Sequence, residues 1–315
     1  MADLTQPHFT NEDAARAYLE ASRWPNGPYC PHCGEADGDK LTRVDSAKGS
    51  KTRPGVIQCN TCRKQFTVTV GTVFERSHIP LHKWLLATHL MCSSKKGISA
   101  HQLHRMLGIT YKSAWFMAHR IREAMAPAKG ETPIGGEGKT VEADETFIGN
   151  SDNKPPKRPG AGGYGHKRAV LSLVERGGKV RSFKLDGSPN SYEIKCIIDD
   201  QVQSTSRLVT DGAQYYKGAR VAKHQSVDHN KAYVVDGDVH TNTLEGYFSL
   251  FKRGMIGTYQ HCGEQHLQRY LHEFDFRLNN RIKYGVDDVE RTVRALKGSA
   301  GKRLTYRRTD GTQNA

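Results

Sequence analysis

Four cysteines in two close pairs constrain this chain more than any other feature of its sequence. Cys30-Pro31-His32-Cys33 and Cys59-Asn60-Thr61-Cys62 are two C-x2-C knuckles, with 25 residues between Cys33 and Cys59. That separation exceeds the usual roughly 15–20 residues but admits a hairpin insert. Four thiolates so spaced can close a tetrahedral Zn²⁺ site at about 2.3 Å per bond, the ion replacing a core that so short a module cannot build. Two such pairs seldom arise in a chain that merely buries or oxidises its thiols. Cys92, Cys196 and Cys262 have no comparable pairing and read as ordinary core or surface thiols. Lys51, Arg53, Arg63 and Lys64 surround the second knuckle, as a ribbon touching phosphates would require, a solvated charged face being the alternative.

Charge points the same way. The 315 residues carry 47 Lys and Arg against 33 Asp and Glu, a net +14. Cationic side chains gain affinity for nucleic acid by releasing counterions from phosphates; plain solubility is the alternative. The apolar run from Trp84 to Cys92 is broken by Thr88 and His89 and is far shorter than the roughly 20 residues of a membrane span. The N-terminus lacks the apolar stretch of a secretory signal. The expectation is a cytoplasmic, nucleoid-associated protein with no membrane partner.

Patterning divides the chain. Phe9, Ala14, Ala15, Tyr18, Leu19 and Trp24 have helical spacing, with Thr10 or Asn11 available as a cap. This helix and the zinc ribbon occupy residues 1–75, where alternation over 65–70 predicts a strand. Residues 76–126 predict a helix-turn-helix, the turn at Gly108 and the second helix over 111–125. That helix offers Lys112, Arg120 and Arg122 to DNA, with a structural helix pair as the bland reading. His101 and His104, three apart on one face, lack a carboxylate partner and read as surface or core histidines.

A Gly-rich linker, 127–138, precedes a mixed α/β region over 139–285. It holds a strand over 141–148, a hairpin around Gly177-Gly178, a helix over 191–203 and a strand over 207–210 that ends at Asp211. Its segment 150–167 is basic and rich in Pro and Gly, and reads as a mobile loop. A C-terminal helix and basic tail fill 286–315.

Asp144 lies within the first strand, Asp211 ends a later one, and Glu245 sits in a helix. Carboxylates that converge from separate elements can hold two hard cations about 3.5–4 Å apart, an arrangement suited to phosphodiester chemistry. Glu142 shares a strand face with Asp144 by period two, and Glu145 points the other way; both read as structural or as partners that orient the ligands. Asp199, Asp200 and Asp228 read as solvated acids. Glu245 follows Asp211 by 34 residues, and Lys252 follows Glu245 by seven.

An Asp, Asp, Glu set with this second gap resembles the DDE transposases and retroviral-type integrases. More narrowly, the sequence resembles bacterial insertion-sequence transposases with an N-terminal zinc ribbon, the ISXO-two-like group of the fifteen-ninety-five family. The likeness is carried by the zinc ribbon, Lys83-Trp84, the run from Ser93 to Ser99, Val141-Glu-Ala-Asp-Glu-Thr and the run from His240 to Ser249. It spans residues 8 to 285.

The resemblance implies an RNase H-like catalytic domain over 139–285, with Asp144, Asp211 and Glu245 holding Mg²⁺ or Mn²⁺. Asn242, three residues before Glu245 on the same helix face, is the alternative third ligand; a charged oxygen holds a hard cation better, which favours Glu245. It further implies metal-dependent cleavage and transfer of DNA strands. Double-stranded DNA is the partner, as element ends and as target, with a homo-oligomer in the synaptic complex. Arg63, Lys64, Lys112, Arg120, Arg122 and Lys252 are the expected DNA contacts, and His240 a contact of the DNA or of the acids. A noncatalytic regulator derived from a transposase and a metal-dependent nuclease are the competing classes.

Overall fold

The structure, a computed structural model, describes residues 3–44, 52–128, 130–150, 167–227 and 238–305. The chain runs through α1 (Pro7–Thr10), α2 (Glu12–Arg23), β1 (Leu41–Arg43), β2 (Ile57–Cys59), β3 (Gln65–Phe66), α3 (Leu81–Ser93), α4 (Ala100–Leu107) and α5 (Tyr111–Met125). It continues through β4 (Thr140–Asn150), β5 (Lys167–Glu175), β6 (Val180–Lys184), α6 (Ser191–Gln201), β7 (Arg207–Asp211), β8 (Lys223–Val227), α7 (Asn242–Gly254), α8 (Leu267–Asn279) and α9 (Asp288–Lys297). Lys51, Asp228, the end of the tail and nearly all of the expected loop over 150–167 lie outside the described residues. The chain divides into two compact units. One is drawn from Met1–Ser94, Ile98–Ala126 and Gly285–Ala315, the other from Lys95–Gly97 and Pro127–Tyr284.

In the first unit, α2 starts where its cap requires: the Asn11 side chain accepts from the N–H groups of Asp13 and Ala14 at 2.9 and 3.0 Å. The ribbon is an antiparallel sheet in the order β1-β2-β3. The strand expected over 65–70 shrinks to Gln65–Phe66, because the chain then turns twice. The Val70 N–H donates to the Thr67 carbonyl and the Thr72 N–H to the Thr69 carbonyl, which takes the remaining alternating residues out of the ladder. The α4–α5 pair forms as expected. Ser99 caps α4, Thr110 caps α5, and Gly108 between them adopts φ 59°, ψ 43°, a left-handed conformation that glycine reaches without penalty.

Two expected DNA contacts are corrected here. Arg120 and Arg122 are only 6% and 2% exposed. The Arg120 guanidinium lies over the rings of Trp84 and Phe116, and its Nη2 donates to the Glu75 carbonyl at 2.6 Å. Burial lowers the Arg120 pKa to about 10, with repulsion from Arg303 adding to it. The reason is packing: α3 and α9 both lie against α5, so its C-terminal half is covered on more than the single face that an amphipathic reading assumes. The C-terminal helix thus belongs to the core of this unit. His89 Nδ1 and the Thr292 hydroxyl are 2.9 Å apart, and Arg291 Nη1 donates to the Cys92 carbonyl at 2.8 Å.

The second unit is a five-stranded sheet in the order β6-β5-β4-β7-β8. β5 is antiparallel to β4 and β6, while β4, β7 and β8 are parallel. Period-two alternation sends Val141 and Ala143 of β4, and Ala169, Leu171 and Leu173 of β5, to the face packed with Ile194 and Ile198 of α6. Val170 and Val174 face Leu244, Tyr247, Phe248 and Phe251 of α7 and Leu271 and Phe274 of α8. A buried polar group pins α7 and α8 to the sheet. The Ser182 N–H and hydroxyl donate to Asp275 at 2.7 and 2.8 Å, and the Tyr247 hydroxyl to the same carboxylate at 2.6 Å. Burial still raises Asp275 to about 6, although those donors oppose the rise.

Burial of Arg120 predicts that Arg120→Ala destabilises the protein by about 2 kcal/mol or more, through lost packing and a carbonyl left without its donor. Exposed Lys112→Ala should stay within about 0.5 kcal/mol. Urea unfolding of the two variants checks the order; the reverse order would contradict the buried placement.

Candidate functional site

Among the described residues two groups of ligand-type side chains converge, one in each unit. In the first, the four knuckle cysteines bring their sulfurs within 4.8 Å of one another. Cys30 and Cys62 are 3.7 Å apart, as are Cys33 and Cys59. A tetrahedron with Zn–S bonds of about 2.3 Å has edges of about 3.8 Å, so the sulfurs already stand at ligand separation. The ribbon supplies them: Cys59 ends β2, and the N–H of Cys59 donates to the Lys64 carbonyl around the second knuckle. The backbone N–H of Cys62 does most to lower the Cys59 thiol to about 7, whereas, against a backbone hydrogen bond at Glu35, desolvation and the neighbouring sulfurs push Cys33 up to about 12; a metal has to displace the remaining protons. Arg63 and Lys64 on this knuckle are exposed. Cys92 and Cys262 are buried and Cys196 is exposed.

The second group lies on the central sheet. Asp144 projects from β4 and Asp211 ends the neighbouring parallel strand β7, paired as far as Ala143 opposite Thr210. Their carboxylates and that of Glu145 come within 4.8 Å of one another. Three acids so close repel as anions. Burial first, then Glu145 and Asp211, raise the Asp144 pKa to about 7, with a smaller push from Glu245. Burial likewise raises Glu145 to about 7.

Glu145 was expected to point away, and alternation does put it on the opposite strand face from Asp144. Its carboxylate nonetheless joins the cluster, because it lies past the last β4–β7 pair, where β4 keeps its β5 neighbour but is no longer flanked by β7. Tyr215 and Tyr216, in the turn after β7, hold it through their hydroxyls, Tyr216 at 2.7 Å. The adjacency of Asp144 and Glu145 was visible in the sequence; the end of β7 beside them was not.

Glu245 and Asn242 are exposed on the first turn of α7, and Lys252 is exposed near its last. Glu245 is outside the close group of three acids, and its effect on Asp144 gives its proximity. Glu142 is fully buried and turned toward the start of α7: its carboxylate accepts from the Thr243 N–H at 3.0 Å. His240 Nδ1 lies 3.5 Å from the same carboxylate. Asp199 lies near Arg220. In the first unit His101 stacks on Tyr111, ring centroids 4.2 Å apart, and Lys112 is exposed beside it.

The donor sets fit two kinds of ion. Four sulfurs at tetrahedral separation suit Zn²⁺, and clustered carboxylate oxygens with depressed acidity suit a hard divalent cation that displaces their protons.

The sequence matches the family described as ISXO2-like transposase domain over residues 135–279, and that described as transposase zinc-ribbon domain over residues 10–65. It is 27% identical over 286 residues to an uncharacterized protein in transposable element ISH50 of Halobacterium salinarum, covering 85% of this chain and 91% of that one. Among solved structures it is similar to a chain of the Mos1 Strand Transfer Complex, at 13% identity, 57% and 71% coverage of the two chains and a TM-score of 0.23. A chain of a pre-cleavage Mos1 transpososome gives 12%, 65%, 75% and 0.23.

Two outcomes follow from the donor sets. Metal analysis should find one Zn per chain, lost together with ribbon structure on chelation or in Cys30→Ser with Cys59→Ser. The acid cluster gives a pH dependence of defined sign. Asp144 and Glu145 have folded pKa values above their unfolded ones, so their contribution to stability is full below about pH 4 and is lost as pH rises through about 7. Thermal melts should therefore show Mg²⁺ or Mn²⁺ raising Tm more at pH 7.5 than at pH 5.5, with Asp144→Asn flattening the difference. Equal metal effects at both pH values would refute the coupling.

Proposed function

Since this chain belongs to the ISXO2-like transposase family and carries both its zinc ribbon and its DDE domain, we propose that it binds insertion-sequence ends and catalyses metal-dependent DNA cleavage and strand transfer. The observation that carries this reading is the meeting of Asp144 and Asp211 on adjacent parallel strands, beside the helix that bears Glu245. The strand order, with one antiparallel neighbour on β4 and two parallel strands beyond it, supports an RNase H-like catalytic domain.

In this reading Asp144 and Asp211 hold divalent cations, Mg²⁺ or Mn²⁺, and Glu245 completes the set, with Asn242 as the alternative from the same helical turn. Bound cations supply Lewis acidity, activating an attacking oxygen and stabilising the leaving one. The acids would position the cations, releasing their own protons to water as the cations bind. Tyr215 and Tyr216 restrain Glu145 beside this set. Water attacks the element end in the first step and the freed 3′-OH attacks target DNA in the second, without a covalent protein intermediate.

Exposed Arg63 and Lys64 of the ribbon, Lys112 of α5 and Lys252 of α7 are suited to DNA phosphates. The α4–α5 pair presents DNA with its open end, where Gln102, Arg105, Tyr111 and Lys112 are exposed, in place of the buried Arg120 and Arg122. Joining two ends to one target calls for more than one copy of the chain, so the proposal includes a homo-oligomer on DNA in the nucleoid. Among the described residues no helix is long and apolar enough to cross a membrane.

The test is incubation of purified protein with its flanking DNA ends, Mg²⁺ and a target plasmid. Wild type should yield joined products. Asp144→Asn and Asp211→Asn should lower cleavage and joining by about 100-fold or more while gel shifts persist. Glu245→Gln should match them and Asn242→Ala be milder; the opposite order would transfer the ligand role to Asn242. Cleavage without joining would identify a nuclease, and binding without cleavage a regulator. Joining at the wild-type rate by Asp144→Asn would refute the mechanism.

A further inference from the structure

Glu142 sits two residues before Asp144 on the same face of β4 and is fully buried, yet its carboxylate belongs to a different set of contacts. Its Oε2 accepts from the backbone N–H groups of Thr243 and Leu244 at 3.0 and 3.2 Å, and its Oε1 from the Thr243 hydroxyl at 2.9 Å. Both amides lie in the first turn of α7, where backbone donors have no partner within the helix. The residue before the helix, Thr241, gives no side-chain cap. The sheet delivers the cap instead, and a negative charge there is favoured by the positive end of the helix dipole.

Arg176, in the turn after β5, balances that charge. Its Nε donates to Glu142 Oε1 at 2.7 Å, its Nη1 to the Asp238 carbonyl at 2.8 Å and its Nη2 to the His240 carbonyl at 2.8 Å. One guanidinium therefore ties the capping acid and the approach to α7 to the sheet. Leu244, Tyr247, Phe248 and Phe251 also hold α7 on the sheet, but apolar contact is non-directional and tolerates small slides. Charge-assisted hydrogen bonds to the first turn do not.

We propose that Glu142 and Arg176 are positioning residues: they set where α7 begins against β4, and so where Glu245 and Asn242 stand relative to Asp144. β4 thus supplies one acid to the cation site and, two residues earlier, a second acid that docks the helix bearing the remaining ligand. The proposal rests on the reading that the first turn of α7 contributes a ligand. Side chains that orient ligands in this manner affect metal affinity or activity by about 10–100-fold when removed.

Glu142→Gln keeps the volume but replaces an acceptor with a donor facing Arg176. Thr243→Val removes one bond of the clamp at an exposed residue and leaves the acid in place. Full-length variants are compared with wild type and Asp144→Asn in three measurements: hydrogen exchange of the segment 240–247, Mn²⁺ binding without DNA by electron paramagnetic resonance, and the Mg²⁺ dependence of end cleavage. Glu142→Gln should exchange faster at the start of α7, bind Mn²⁺ about tenfold more weakly and need about tenfold more Mg²⁺ for half-maximal cleavage, with gel shifts unchanged and cleavage partly restored by excess cation. Thr243→Val should change each in the same direction by less.

A purely structural role would lower Tm and leave the cation titrations at wild-type values, and that result overturns the proposal. So does unaltered exchange over 240–247 in Glu142→Gln. If Glu142→Gln does not fold, Thr243→Val decides, and a wild-type cation dependence there is again fatal. Failure of the wild-type protein itself to bind Mn²⁺, or wild-type binding by Asp144→Asn, strikes the underlying assignment of the acids rather than the clamp.

Discussion

A carboxylate removed from solvent has to be answered by donors, and Glu142 is answered by a guanidinium, a hydroxyl and two backbone amides of one helix turn. Removing one partner of such a buried pair typically costs about 3–5 kcal/mol, because the other charge is left uncompensated. The interaction therefore holds more than two residues together. It joins the central strand, which carries Asp144, to the start of α7, which carries Glu245, through Arg176 of the β5–β6 turn. The sandwich of α7 and α8 on one face and α6 on the other provides the mass of the fold, and this polar contact gives it a register.

Around that anchor the second unit keeps several charges in places that burial disfavours. Asp144 and Glu145 are raised to about 7 and Asp275 to about 6. Asp275 is answered from inside, by Ser182 and Tyr247, and its role is to pin helices to the sheet. Among the described residues Asp144 accepts from the backbone N–H of Glu145 at 2.8 Å, while Glu145, Asp211 and Glu245 each add like charge beside it. Like charges gathered this closely are neutralised by protons or by a bound cation. The knuckle cysteines pose the same problem in the first unit with softer atoms, which is why the two sites call for different ions.

Much of this was legible along the chain. Two C-x2-C pairs announce a tetrahedral site whatever surrounds them, since the spacing alone brings two sulfurs of each pair together. Helix caps and the Gly108 turn are local chemistry: the cap expected at Thr10 or Asn11 is made by Asn11, and the turn stands at Gly108. Asp211 at a strand end and Asp144 within one were likewise readable from period-two patterning. The short β8 was missed, as Lys223–Val227 has mixed polarity at an edge where only one neighbour stabilises it. β3 was overextended because alternation persists through Thr67–Val70 while the backbone already turns.

Sequence by itself determined the ligand types, their grouping into a sulfur site and an oxygen site, and the local signals that start and stop most helices, because these depend on neighbours within a few residues. Tertiary structure alone decided which charges face solvent. Arg120 and Arg122 look like any cationic helix face until α9, more than 160 residues later, packs into the same unit as α5. Glu145 looks turned away until the end of β7 and the hydroxyls of Tyr215 and Tyr216 bring its carboxylate into the cluster. Glu142 reads as one more strand acid until α7 arrives with two unpartnered amides. In each case the deciding partner is distant along the chain, and the energy of burying or pairing a charge depends on that partner rather than on any neighbour in sequence.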